Sequence, residues 1–186
     1  VVDSKELTPA DLEIVARSYM QAFLPYLGVD IDIPAPDVYT TPQLMAYMLD
    51  EYEKITGRSE PGVITGKPLA LYGSLGRDTA TAQGAVFVIE EYFKRLGGDL
   101  KYKTVAIQGY GNAGATIARL LYAHGCIIVS VSDSKGTLSD DAGLDPIALD
   151  EIKASGKSVI DLAVGTKKTD SNAVLYNEVD ILIPSA

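Results

Sequence analysis

The chain has one cysteine and one histidine, and no run of apolar residues approaches the roughly 20 that a membrane-spanning helix needs. Cys126 has no partner for an internal disulfide. With only His124 beside it there is no soft-ligand cluster of the kind zinc or iron–sulfur sites require, so neither a disulfide framework nor a structural metal is expected. Val1 to Leu7 lack the basic and apolar regions of a signal peptide, and the resulting expectation is a cytoplasmic protein with no membrane partner. Positive charge is also scarce, with 16 Lys and Arg against 25 Asp and Glu and a formal net charge of -9. Such a surface repels phosphate backbones, and its cations are scattered rather than grouped, so nucleic acid is not an expected partner. Any phosphate must be held locally, by backbone geometry.

What is present suits a folded α/β protein. At 186 residues and 47% hydrophobic content the chain can bury a real core, as one domain or as one domain plus part of another. From Thr8 to Leu27, Leu12, Val15, Ala16, Tyr19, Ala22 and Phe23 recur at helical spacing, with Thr8 as N-cap, Pro9 at the first helical position and Asp11 completing a cap-like pattern. The segment 30–39 is stiff and extended, because Pro34 and Pro36 exclude regular helix. Thr40 or Thr41 then caps a second helix that begins at Pro42 and stops at Gly57. The glycine-rich stretch Ser59 to Gly76 reads as loops around a short strand. A third helix runs from Thr79 to Leu96 and ends at Gly97-Gly98.

Beyond Gly98 the hydrophobic period changes. Thr104 to Ile107 reads as a strand, Ala113 to Ala123 as a helix and Cys126 to Val131 as a second strand, which predicts a parallel pair joined by a right-handed crossover. A helix from Pro146 to Ala154, capped by Asp145, and a buried strand from Val179 to Ile183 follow. His124 falls at a predicted helix C-terminus, where the dipole favours its cation, and is read as structural.

Gly109-Tyr110-Gly111-Asn112-Ala113-Gly114 spells G-x-G-x-x-G between the first of these strands and its helix. In that context Gly109 permits the tight turn, Gly111 lets a pyrophosphate approach the backbone, and Gly114 lets helix and strand pack closely. The helix N-terminus adds free N–H groups and partial positive charge, which explains phosphate binding without a basic patch. Asp133, at the end of the next strand and near the expected spacing of about 20 residues, is placed to accept from adenosine ribose hydroxyls. Its carboxylate favours NAD, whereas Ser134 and Lys135 could hold a 2′-phosphate, so NAD and NADP both stay open.

Five segments in order carry a wider resemblance: Pro34-Ala35-Pro36-Asp37-Val38-Tyr39-Thr40, Thr65-Gly66-Lys67-Pro68, Gly73 to Thr81, the fingerprint at Gly109 to Gly114, and Ser132-Asp133-Ser134-Lys135-Gly136. Together they resemble glutamate dehydrogenase of the archaeal and bacterial hexameric type. The resemblance implies a Rossmann-type nucleotide-binding domain, incomplete, over residues 73–186, and over residues 1–72 the C-terminal part of an α/β substrate (dimerisation and catalytic) domain. It implies reversible NAD- or NADP-dependent oxidative deamination of L-glutamate to 2-oxoglutarate and ammonia, in a homo-oligomer that is a hexamer in the family. Asp37 takes the place of the family's catalytic aspartate, which shuttles protons to and from the amine. Ala35, Thr65 and Arg77 stand at substrate positions, and Arg77, Thr81, Gly109, Gly111, Asn112, Ala113, Gly114, Asp133, Ser134 and Lys135 at cofactor positions. Lys67 is read as structural or as a surface charge. The family's glycine-flanked catalytic lysine lies ahead of the position of Val1, so the chain is expected to be an internal portion, inactive alone. Two other readings stay open: an amino-acid dehydrogenase for an apolar substrate such as leucine or phenylalanine, and a non-catalytic dinucleotide sensor or assembly module.

Overall fold

The computed structural model describes residues 6–37 and 39–185. Val1–Lys5, Val38 and Ala186 lie outside the described residues, so most of the stretch behind the signal-peptide reading and one residue of the Pro-rich segment fall there. The chain divides into two compact units, Val1–Arg77 and Asp78–Ala186.

In the first unit, helix α1 (Pro9–Phe23) starts with a capping box: Thr8 Oγ1 accepts from the Asp11 N–H, and the Asp11 carboxylate accepts from the Thr8 N–H. The helix stops before Pro25, whose ring and missing N–H the α-helical ladder cannot accommodate, and a 3-10 turn at Leu24–Tyr26 follows. Helix α2 (Pro42–Thr56) is capped by Thr41 and ended by Gly57 in the left-handed conformation, φ +68°. The two helices bury Ala16, Met20, Met45, Met48, Leu49 and Tyr52 against Val63 and Ile64. Arg17 ties them on the polar side by bonding Glu13 on its own helix and Asp50 and Glu51 on α2.

The short strand expected between Ser59 and Gly76 is absent. That segment holds two 3-10 turns, Pro61–Val63 and Leu69–Leu71. Each is bordered or begun by a proline that donates nothing to a ladder, and no described strand of this unit offers itself as a partner.

The second unit is an α/β arrangement of Rossmann type. Its sheet comprises β1 (Thr104–Gln108), β2 (Ile127–Asp133), β3 (Gly136–Ser139), β4 (Thr166–Lys168) and β5 (Ile181–Pro184), in the order β4-β3-β2-β1-β5. β1 lies parallel to both β2 and β5, while β3 and β4 extend the sheet antiparallel beyond β2. Val105, Ala106 and Ile107 are all fully buried, the pattern of a central parallel strand covered on both faces. Helices α3 (Ala80–Arg95), α4 (Asn112–Ala123) and α5 (Pro146–Ala154) pack beside one another and contribute Val86, Ala118, Leu121 and Leu149 to the same core. His124 follows the last turn of α4, where its Nδ1 lies 3.0 Å from Glu90 Oε1 on α3.

Strands β3 and β4 are additions to the sequence reading. β4 is three exposed polar residues, Thr-Lys-Lys, with no alternation to betray a strand; it exists because β3 offers an edge. No helix among the described residues is long and apolar enough to cross a membrane, and no group of three or more His, Cys, Asp or Glu among them is arranged to hold a metal ion.

Candidate functional site

The turn between β1 and α4 is built by its glycines. Gly109 takes φ +88°, a conformation that L side chains disfavour, and the N–H groups of Gly109 and Tyr110 both donate to Ser132 O at the end of β2, at 3.0 and 2.7 Å. This folds the turn across the top of the β1–β2 pair. A Cβ at Gly114 would sit 1.9 Å from Gly109 O, so the close approach of α4 to the turn exists only without a side chain there.

Gly111 is the N-cap of α4. It is exposed, makes no side-chain cap, and a Cβ built on it would meet nothing within 4 Å. The helix therefore opens onto space with no side chain blocking its first residue, the arrangement a phosphate needs to reach first-turn amides. The adjoining cavity has a volume of about 490 Å³ and is lined by Gly111, Asn112, Thr79, Arg119, Asp150 and Lys153, among others. Tyr110 is buried, with its hydroxyl 3.3 Å from Pro146 O and from an Asp150 carboxylate oxygen, which ties the glycine turn to the start and middle of α5. Burial first, and then the neighbouring Asp150 charge, push its phenol well above the ordinary tyrosine range.

Asp133, Ser134, Lys135 and Gly136 form the two-residue hairpin that joins β2 to β3. Ser134 and Lys135 are exposed at its tip. Both carboxylate oxygens of Asp133 are bonded within the protein. Its Oδ1 accepts from Lys135 N at 2.9 Å and Ser158 Oγ at 2.7 Å, and its Oδ2 accepts from Lys153 Nζ at 2.8 Å and Val159 N at 3.0 Å. A carboxylate has about four acceptor sites, and the protein fills them. With its side chain only 8% exposed, this group faces inward and is spent on pinning the segment after α5 to the end of β2. A ribose hydroxyl would have to displace one of those donors.

Burial alone would raise the Asp133 pKa, but the bonds from Lys153, Lys135, Ser158 and Val159 outweigh it and bring the value down to about 2. A carboxylate whose folded pKa lies below its unfolded value of 3.8 stabilises the fold above pH 4, and that contribution is lost as pH falls through 2. We therefore expect the charge-dependent part of the stability difference between wild type and Asp133→Asn, about 2 kcal/mol at neutral pH, to shrink toward nothing as pH falls from 4 through 2. Urea unfolding at a series of pH values checks this; a difference of the same size at pH 2.5 and pH 6 would contradict it.

In the first unit, the Pro-rich segment is braced rather than loose. Thr65 N–H donates to Pro34 O at 3.1 Å, and Gly66, at φ +69°, lies so close to Pro36 that a Cβ there would fall 2.1 Å from the proline ring. Asp37 follows directly and starts a tight turn in which Thr40 Oγ1 accepts from Asp37 N at 2.7 Å and donates to Asp37 O at 2.6 Å. The backbone of Asp37 is thus set from both sides while the residue itself is exposed. Ala35 and Thr65 are exposed on the same braced structure, and Lys67 turns away to donate to Ile64 O at 2.8 Å, a structural use. Arg77 is exposed in the turn before α3, and Thr81 is exposed in the first turn of that helix.

Most of the expected residues thus fall into three clusters, with Arg77 and Thr81 apart from them at the start of α3: Ala35, Asp37 and Thr65 around the Pro34–Thr65 link; Gly109, Gly111, Asn112, Ala113 and Gly114 at the α4 N-terminus; and Asp133, Ser134 and Lys135 at the β2–β3 hairpin. Lys153, Ser158, Arg119 and Asp150 were not foreseen. They come from helix surfaces and from the Ser158–Asp161 capping box, and no motif ties them to the residues they meet.

Comparison with known proteins places this architecture. The chain is 43% identical over its whole length to an NADP(+)-dependent glutamate dehydrogenase of Pyrobaculum calidifontis, of which it covers 45%. It is 41% identical to a catabolic NAD-specific glutamate dehydrogenase of Bacillus subtilis, of which it covers 43%. The chain thus spans less than half the length of these curated relatives. The hetero-hexameric glutamate dehydrogenase of Thermus thermophilus, solved in a leucine-bound form, superposes on the whole chain with a TM-score of 0.90 at 35% identity, and the chain covers 43% of it. The Glu/Leu/Phe/Val dehydrogenase dimerisation-domain model matches residues 1–54 and the Glutamate/Leucine/Phenylalanine/Valine dehydrogenase model matches residues 73–186, and the chain belongs to this dehydrogenase family.

Proposed function

We propose that the full-length protein catalyses reversible NAD(P)-dependent oxidative deamination of L-glutamate to 2-oxoglutarate and ammonia. The observation that carries this reading is the open α4 N-terminus: an uncapped, exposed Gly111 above a cavity, with Gly114 holding the helix tight beneath the turn. A dinucleotide's diphosphate fits that donor set, since backbone amides and the helix dipole supply what an acidic protein cannot supply with side chains. The nicotinamide, when bound, accepts the hydride that leaves the substrate α-carbon. Asn112, Ala113 and Gly114 hold the diphosphate, and Thr81, in the first turn of α3, contacts the nicotinamide end. The hairpin at Ser134-Lys135 meets the adenosine end.

Asp37 does the proton work. Hydride departs from the α-carbon only when the amine is neutral, so a carboxylate must take a proton from the ammonium and return one to the departing nitrogen. The brace of Thr65 and Gly66 on Pro34 and Pro36 supports that role, because a general base must be held still at its proton. Ala35, Thr65 and Arg77 orient the substrate, with the Arg77 guanidinium suited to a carboxylate. In this reading residues 1–72 belong to the substrate and dimerisation domain, residues 73–186 to the dinucleotide-binding domain, and the assembly is a homo-hexamer.

The family embraces apolar substrates as well, so the substrate side chain is the point to test. Steady-state turnover of L-glutamate and L-leucine by the full-length protein, with either nicotinamide cofactor, should give kcat/KM at least about a hundredfold higher for glutamate, the discrimination that a site built to bind a charged group reaches over one that lacks its partner. Faster turnover of leucine would transfer the reading to an apolar amino acid. Normal cofactor binding with turnover of neither would leave a non-catalytic dinucleotide-binding module.

A further inference from the structure

The glycine turn is held on its carbonyl side as well as on its amide side, and the residue that holds the carbonyl lies outside the motif. The N–H groups of Gly109 and Tyr110 both donate to Ser132 O, which ties the turn to β2. On the opposite flank β1 pairs with β5, and Ser185, the residue after β5, continues that ladder by donating its N–H to Gln108 O at 2.8 Å. Its hydroxyl does something the ladder does not require. Ser185 Oγ lies 2.8 Å from Gln108 O and 3.1 Å from Gly109 O, so its single proton is shared between the last carbonyl of β1 and the first carbonyl of the turn. A Cβ on Gly114 would fall 1.9 Å from Gly109 O and 2.9 Å from Ser185 Oγ, so strand end, turn and helix meet at this hydroxyl.

We propose that Ser185 is a positioning residue of the dinucleotide site: its hydroxyl holds the Gly109 carbonyl toward β5 and so keeps the turn in the shape that opens the α4 N-terminus to a diphosphate. This rests on the reading of the α4 N-terminus as a dinucleotide site, and deepens it. A diphosphate is drawn by N–H groups and repelled by carbonyl oxygens, so a turn beside it must keep its carbonyls occupied elsewhere. Gly109, at φ +88°, has the backbone freedom to let its carbonyl swing once the hydroxyl is gone. In this role Ser185 acts through the turn and makes no bond to the dinucleotide.

Steady-state kinetics and calorimetry on the full-length protein test this. Ser185→Ala removes the hydroxyl and keeps the N–H bond to Gln108, so the β1–β5 ladder is retained. Its KM for the dinucleotide should rise about threefold to tenfold, the worth of one net hydrogen bond. Its kcat and its KM for the amino acid should stay within about twofold of wild type, the signature of lost binding rather than lost chemistry. Its melting temperature should match wild type. ADP-ribose, which carries the diphosphate without the nicotinamide, should lose as much affinity as the dinucleotide. An unchanged dinucleotide KM would overturn the proposal. So would a variant that fails to fold, melts well below wild type or loses kcat along with both KM values, since Ser185 would then support the fold at large. If wild type bound neither dinucleotide nor ADP-ribose, it is the site assignment at α4 that would fail, and the role of Ser185 with it.

Discussion

Replacing Asp37 by Asn in the full-length protein is expected to reduce glutamate turnover by about 10²–10⁴-fold, the range that removal of a general acid–base group produces. The substitution changes almost no volume. The variant can keep the bonds between Asp37 and Thr40, because the Asp37 N–H and carbonyl that make them are retained in Asn. Dinucleotide affinity should stay within about twofold of wild type, since the α4 N-terminus belongs to the other compact unit. Loss of kcat with intact cofactor binding, read from stopped-flow turnover and from calorimetry, is the signature of lost proton transfer. Unchanged turnover would remove Asp37 from the chemistry and return it to the role of a loop residue that starts a turn.

The second large effect separates two glycines that look equivalent in the motif. Gly114→Ala places a Cβ 1.9 Å from the backbone oxygen of Gly109 and 2.9 Å from Ser185 Oγ, so α4 must move away from its strand. Overpacking of that kind costs about 1–3 kcal/mol, and the displaced turn should also lose most of its dinucleotide affinity. Gly111→Ala meets nothing within 4 Å and has an extended backbone that alanine adopts readily, so its thermal stability should match wild type. Its dinucleotide affinity should nevertheless fall at least tenfold, because the added methyl occupies the space through which the diphosphate approaches. Measuring melting temperature and NADPH affinity for both variants tests the pair. A Gly111→Ala protein that binds dinucleotide normally would show that phosphate does not enter there.

The three glycines were legible because each answers a local geometric demand: a positive φ at Gly109, open space at Gly111 and backbone contact at Gly114. The helices were legible for a similar reason. Thr8 with Asp11, Thr41 with Pro42, and Asp145 with Pro146 are capping chemistry within three or four residues, and the structure uses each of them. The segment from Ser59 to Gly76 misled because short apolar residues between glycines suit either a strand or a turn, and only a neighbouring strand could have decided between them. β4 failed to show itself for the converse reason, since a polar tripeptide becomes a strand only when an edge is offered.

Asp133 shows the same division within the site. Its position, after an apolar strand and beyond a glycine turn, marked it as the acid of the adenosine end. What its charge does there depends on Lys153, Ser158 and Val159, which reach it from 20, 25 and 26 residues away along the chain. No local pattern announces such partners. Local sequence determined the capped helices, the glycine turn at the mouth of α4 and the identity of the residues able to carry charge or protons. The tertiary structure decided where those charges point, because hydrogen-bond saturation and burial are properties of groups brought together from distant parts of the chain.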